Sequence, residues 1–147
     1  MYQRLLVPVD GTELSDRAVQ TSLALAQKLG ASVTAFVAEP MPPLPAMGSS
    51  PSLYQRDSEA HQARTEEHAR EVLARFRAKA AEVGVPFEGK FQRTDSVDDG
   101  IVAAAKEFNC DLIVMVTHGR GAFGELLFGS HTKNVMTHSK LPILVLH

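Results

Sequence analysis

This sequence predicts an α/β fold built on a parallel sheet, and three observations carry that expectation. Strand-like and helix-like stretches alternate along the whole chain. The first and fourth strand-like runs are almost continuously apolar. Glycines or capping residues stand at the junctions between stretches. Alternation of this kind builds right-handed βαβ units, and continuous apolar runs belong to strands covered on both faces. With 147 residues there is enough chain for one core, so 1–147 is read as a single domain.

The elements follow in order. Leu5 to Val9 is the first buried strand, ending at Asp10-Gly11-Thr12, a turn and helix cap. From Leu14, the positions Ala18, Ser22, Leu25, Ala26 and Leu29 share one helical face, which Gly30 closes. Ser32 to Ala38 is the second strand. Glu39 to Ser52, with Pro40, Pro42, Pro43, Pro45 and Pro51, reads as a mobile surface loop. A long helix is expected over Arg56 to Val83, with the stripe Ala69, Val72, Leu73, Phe76, Ala80 and Val83. Val85 to Arg93 is a third strand, weakened by Gly89 and Lys90. Ser96 caps a helix from Val97 to Phe108, with Asp98 and Asp99 near its positive end. Cys110 to Val116 is the fourth strand, Ser130 to about Ser139 a helix, and Pro142 to His147 the fifth strand.

Composition narrows the function. The chain is 44% hydrophobic and 22% charged with a formal net charge of −2, and acids and bases are interspersed. That balance offers no nucleic-acid footprint, and no apolar run is long enough for membrane insertion. One cysteine, Cys110, excludes an internal disulfide, and the N-terminus leads straight into a strand, so the expected setting is cytoplasmic.

The segment richest in function is the exit of the fourth strand. Thr117-His118-Gly119 follows it, then nine residues, then Gly129-Ser130 at a helix start. Glycines allow a ligand to approach the main chain, and N–H groups at a helix start attract anions such as phosphate. The first strand-to-helix turn lacks G-x-G-x-x-G, so no dinucleotide fingerprint is present. Gly124 to Ser130 has Walker-like glycine spacing, but no lysine precedes the serine. Without that charge the segment suits binding better than phosphoryl transfer.

Asp10, at the end of a buried strand, could accept hydrogen bonds from ribose hydroxyls or serve the turn itself. His118 and Arg120 could lie beside phosphates or be plain loop residues. The histidines make no HxxxH or HxH pair, so no protein-built metal site is expected. No catalytic triad is visible, and no catalytic residue is assigned.

The chain resembles the single-domain, ATP-binding-type members of the universal stress protein (UspA-like) family over essentially its whole length. The resemblance rests on Leu5-Leu6-Val7-Pro8-Val9-Asp10-Gly11-Thr12, on Asp111 through Gly121, on Gly129-Ser130-His131-Thr132-Lys133-Asn134-Val135, and on Leu141 through Leu146. Nucleotide-binding members show G-x2-G-x9-G-[S/T]. Here Gly119, Gly129 and Ser130 match, while Val116 occupies the first glycine position, where a side chain could crowd the ribose or first phosphate.

This resemblance implies a five-stranded parallel sheet in the order 3-2-1-4-5 with helices on both faces, Rossmann-like and similar to adenine nucleotide alpha hydrolases. Pro8, Val9 and Asp10 would border adenine and ribose, and Val37 would meet the adenine edge through its backbone. Val116, Thr117, His118, Gly119, Arg120, Gly121 and Ala122 would follow ribose and phosphates. Gly129, Ser130, His131 and Thr132 would close on the phosphate tail of ATP or AMP, with Mg²⁺ accompanying a triphosphate. The family commonly dimerises through its last strand, and the apolar run Ile143 to Leu146 agrees, since a bare edge strand invites pairing. The expected function is adenine-nucleotide binding in a stress-response module. The alternative is a dimeric interaction scaffold without nucleotide, and a slow ATPase comes last.

Overall fold

The computed structural model describes residues 1–39, 41–116 and 130–146. In chain order its elements are β1 (Arg4–Pro8), α1 (Glu13–Leu29), β2 (Ser32–Glu39), α2 (Pro51–Glu82), β3 (Phe87–Arg93), α3 (Val97–Glu107), β4 (Leu112–Val116), α4 (Ser130–His138) and β5 (Ile143–Leu146). The strands form one sheet in the order β3-β2-β1-β4-β5, each neighbour parallel to the next. The expected fold class and strand order are both found.

β1 sits in the middle because its side chains serve two cores at once. Leu5 and Val7 join Val33, Ala35, Val37, Leu112 and Val114 under α1 and α2. Leu6 faces the other way, with Phe36, Ile113, Met115, Ile101 and Val135 beneath α3 and α4. Enclosing each such Leu, Val or Ile contributes about 1.5–3 kcal/mol, which is why β1 and β4 read as unbroken apolar runs. β3 lies at an edge and alternates instead. Its Gly89, which weakens the strand as sequence, has a packing reason: a Cβ there would lie 3.2 Å from Leu73 of α2.

Several boundaries shift, each for a local reason. α2 begins at Pro51 rather than Arg56, because Ser50 caps it by accepting the Leu53 N–H at 3.2 Å. Proline suits the first helical turn, where its missing N–H goes unused. β3 starts at Phe87, since the Val85 N–H is taken by Ala80 at the end of α2. β4 starts at Leu112, since Cys110 donates to Ala105 in closing α3.

Candidate functional site

The sheet reverses its strand order between β1 and β4, the place where open α/β sheets bind ligands beyond their carboxyl ends. A crevice opens there because of one residue. β1 and β4 pair at Leu5 with Leu112 and at Leu6 with Ile113, and the pairing stops there, although β4 continues to Val116. Even-numbered residues of β1 turn their backbone groups toward β4, as the Asp111 N–H to Arg4 C=O bond at 2.9 Å indicates. The next N–H in that series belongs to residue 8, and Pro8 has none. The ladder therefore ends early, and the carboxyl half of β4 is left unpaired with β1.

Asp10 stands at the mouth of this crevice in a turn held by side chains. Its Oδ1 accepts from the Thr12 N–H at 3.0 Å and the Thr12 hydroxyl at 2.7 Å. Ser15, buried in the first turn of α1, accepts at Oγ from the Gly11 N–H at 3.1 Å and the Asp10 N–H at 3.3 Å. Gly11 adopts φ of 85°, and a Cβ there would lie 2.9 Å from Val72 of α2. Both features require glycine. Asp10 thus does serve the turn, with Oδ1. Its other oxygen, Oδ2, has no partner among the described residues, so the carboxylate retains an acceptor for a ligand hydroxyl.

β2 overhangs β1. The last β1–β2 pair is Pro8 with Phe36, followed by the Val9 N–H to Phe36 C=O bond at 2.9 Å, while β2 runs on to Glu39. Strand alternation fixes which backbone groups face the gap. The Thr94 N–H donates to Glu39 C=O at 3.0 Å, so odd residues of this stretch face β3. Val37 is one of these, and its side chain is fully buried. The N–H and C=O turned toward the crevice belong to Ala38, which has no backbone partner there among the described residues. The family resemblance implied the Val37 backbone; the register turns that backbone to β3 and presents the neighbouring Ala38 peptide instead.

Val116, half-buried at the tip of β4, packs its side chain against the core beneath α1. Thr117, His118, Gly119, Arg120, Gly121, Ala122 and Gly129 lie outside the described residues. Ser130 is the first residue of α4. His131 is exposed, and its Nδ1 donates to Asp98 Oδ1 at 2.6 Å. Asn134 donates to Asp98 Oδ2 at 2.8 Å. Asp98, in the first turn of α3, therefore fixes α4 and orients His131, leaving Nε2 of that ring turned away from the pair. Thr132 is 2% exposed, so protein encloses its side chain.

Four contributors went unassigned in the sequence: Ser15, Ala38, His68 and Asp98. Ser15 was legible as a first-turn hydroxyl and Asp98 as a helix-start carboxylate. Ala38 needs the strand register. His68, whose Nε2 lies 3.0 Å from the Asp10 carbonyl, comes from α2 with no local signal at all. Among the described residues no group of three His, Cys, Asp or Glu side chains could hold a metal ion. No helix among them is long and apolar enough to cross a membrane.

Fold and topology together define a doubly wound α/β protein whose β1–β4 ladder is interrupted at the strand-order reversal. More narrowly, the chain belongs to the universal stress protein family, whose model matches residues 1–147. It is 32% identical over 146 residues to a universal stress protein of Thermus aquaticus, covering 99% of this chain and 98% of that one. A second relative, from Methanocaldococcus jannaschii, is 28% identical and is matched over 99% of this chain and 82% of its own length. Among solved structures, the universal stress protein UspA of Lactobacillus plantarum shares the fold with a TM-score of 0.81 at 23% identity, covering 99% and 98% of the two chains. Two further structural neighbours are universal stress proteins solved in complex with cAMP and, from Archaeoglobus fulgidus, with dAMP.

Proposed function

We propose that this chain binds an adenine nucleotide, ATP or AMP, in the crevice beyond β1 and β4. It then acts in the cytoplasm as a nucleotide-dependent regulatory or interaction module, with residues 1–147 as one domain. The observation that carries this reading is the interrupted β1–β4 ladder, with the Asp10 carboxylate at its mouth. The sequence adds Gly119, Gly129 and Ser130 on the β4 side, the spacing for a phosphate cradle. The complexes of related proteins with cAMP and dAMP support an adenine ligand.

In this reading Pro8 and Val9 border the base, and the Ala38 peptide beside Val37 meets its polar edge. Asp10 Oδ2 accepts from a ribose hydroxyl. Val116 and the segment 117–122 follow the ribose and phosphates. Gly129, Ser130 and His131 close around the phosphate tail, and Thr132 joins through its backbone N–H, its side chain being enclosed by protein. Mg²⁺ enters with a triphosphate, whose oxygens would supply its ligands, since the described part of the chain has no carboxylate cluster for it. Among the described residues of this set none is a nucleophile hydrogen-bonded to a base, and the sequence places no lysine before Ser130, which favours binding over hydrolysis.

The test is mass spectrometry of the small molecules released when freshly purified protein is denatured, beside a Gly129→Arg variant. Adenine nucleotide in the wild type and none in a folded Gly129→Arg protein is expected. An empty wild type that also fails to bind added ATP or AMP overturns the reading. That result would leave the dimeric scaffold, which Val116 in place of a motif glycine favours; the packing of its side chain under α1 speaks for the nucleotide instead. Phosphate release from ATP should be no faster than in the Gly129→Arg variant. The edge position of β5 supports a two-fold dimer through that strand. Sedimentation equilibrium should return twice the chain mass.

A further inference from the structure

We propose that His68 is a positioning residue for the ribose-binding carboxylate of Asp10, so that α2 sets the nucleotide affinity of a crevice it does not line. The inference rests on the adenine-nucleotide reading above and concerns how that site is held. His68 Nε2 lies 3.0 Å from the Asp10 carbonyl, 58 residues away in sequence. A carbonyl only accepts, so Nε2 carries the proton and donates. The same Nε2 is 3.9 Å from Glu39 Oε1 at the tip of β2, a carboxylate only 12% exposed. One imidazole thus joins the ends of β1 and β2 to α2.

The contact is tight. A Cβ at Gly11 would meet Val72 at 2.9 Å, His68 Cε1 at 3.2 Å and Arg75 Nη2 at 3.5 Å, so three successive turns of α2 press on the turn that carries Asp10. That turn has two supports. On the α1 side, Thr12 and Ser15 hold the Asp10 and Gly11 N–H groups and the carboxylate Oδ1. On the α2 side, His68 holds the peptide carbonyl that follows the carboxylate-bearing Cα. Freed on that side, the peptide plane can rotate about a glycine with φ of 85°, and the placement of the Asp10 carboxylate changes with it.

His68 is not what docks α2. Ala69, Val72, Phe76 and Ala80 are buried from that helix, and Arg93 Nη2 donates to the Gln62 carbonyl at 2.7 Å. Replacing the half-exposed imidazole should therefore leave the fold in place.

The experiment is calorimetric titration of AMP and of 2′,3′-dideoxy-AMP into four proteins: wild type, His68→Leu, His68→Gln and Asp10→Ala. Each is first checked for a cooperative urea transition, so that folded proteins are compared. For His68→Leu we expect an affinity loss of about five- to tenfold for AMP, the size of one hydrogen bond. The dideoxy ligand, which gives Asp10 no hydroxyl, should show no loss. His68→Gln keeps an N–H donor and should recover most of the AMP affinity. A fifth protein, the Asp10→Ala/His68→Leu double variant, should bind AMP no more weakly than Asp10→Ala alone. Equal losses for both ligands, or no loss for either, overturn the positioning role while leaving the nucleotide reading intact. A wild type that binds neither AMP nor ATP overturns both.

Discussion

The two ends of this sheet are held by different means. At the amino ends backbone and carboxylate do the work: Asp111 accepts the Gln3 and Arg4 N–H groups, each at 2.9 Å, and Arg4 donates to the Phe108 carbonyl at 3.1 Å. Ser32 and Val33 donate to Gln3 and Pro86, both at 2.9 Å. At the carboxyl ends the β1–β4 ladder stops, β2 overhangs, and the Asp10 turn depends on side chains from α1 and α2. Even the depression at the amino ends, lined by Arg4, Ser32, Thr34, Pro86 and Glu88, has paired strands for a floor. An opening suited to a ligand needs more than a hollow: it needs backbone and carboxylate groups left without partners.

This contrast can be broken from either end. The largest effect should come from Asp111→Ala, which removes the charged acceptor of two backbone N–H groups at the closed end. It should lower stability by about 2–3 kcal/mol in urea denaturation, with nucleotide affinity unchanged once folded. Gly11→Val strikes the open end, where a side chain meets α2 and a left-handed φ. It should cost about 1–2 kcal/mol and, unlike the Asp111 change, should also reduce nucleotide binding in the same titration.

A smaller effect belongs to Cys110, whose thiol is pushed above its ordinary range by burial, against a Thr34 hydrogen bond and with Asp111 adding to the rise. A raised folded pKa stabilises below the unfolded value and is lost as pH climbs through the folded one. Stability should therefore fall above about pH 9, by at most about 1.4 kcal/mol per pH unit, and Cys110→Ala should flatten that slope. The smallest effect is expected for Pro8→Ala. The new N–H can extend the β1–β4 ladder, so hydrogen exchange should show a protected amide at position 8 with stability changed by less than about 1 kcal/mol. Nucleotide affinity should drop as the crevice narrows.

Much of this was legible in the chain. The apolar runs of β1 and β4 gave both strands because burial on two faces leaves no polar alternation to confuse the reading. Asp10 and Ser130 stood out because turn and helix-start chemistry is local. Pro8 was noted as a neighbour of the ligand, but its effect on the ladder depends on which way even residues of β1 face. Ala38 likewise became visible only through register, and His131 acquired its partner Asp98 only when α3 met α4.

By itself, then, the sequence determined the alternation of elements, the strands buried on both faces and the residues with phosphate- and ribose-compatible chemistry, because periodicity, caps and motifs are properties of neighbouring residues. The tertiary structure decided what chain separation hides. Pro8 ends the β1–β4 ladder because residue 8 faces β4, and Ala38 faces the gap because β2 outruns β1. His68 reaches Asp10 because α2 crosses the tip of β1. Each of these depends on how distant segments pack, and no local pattern encodes that.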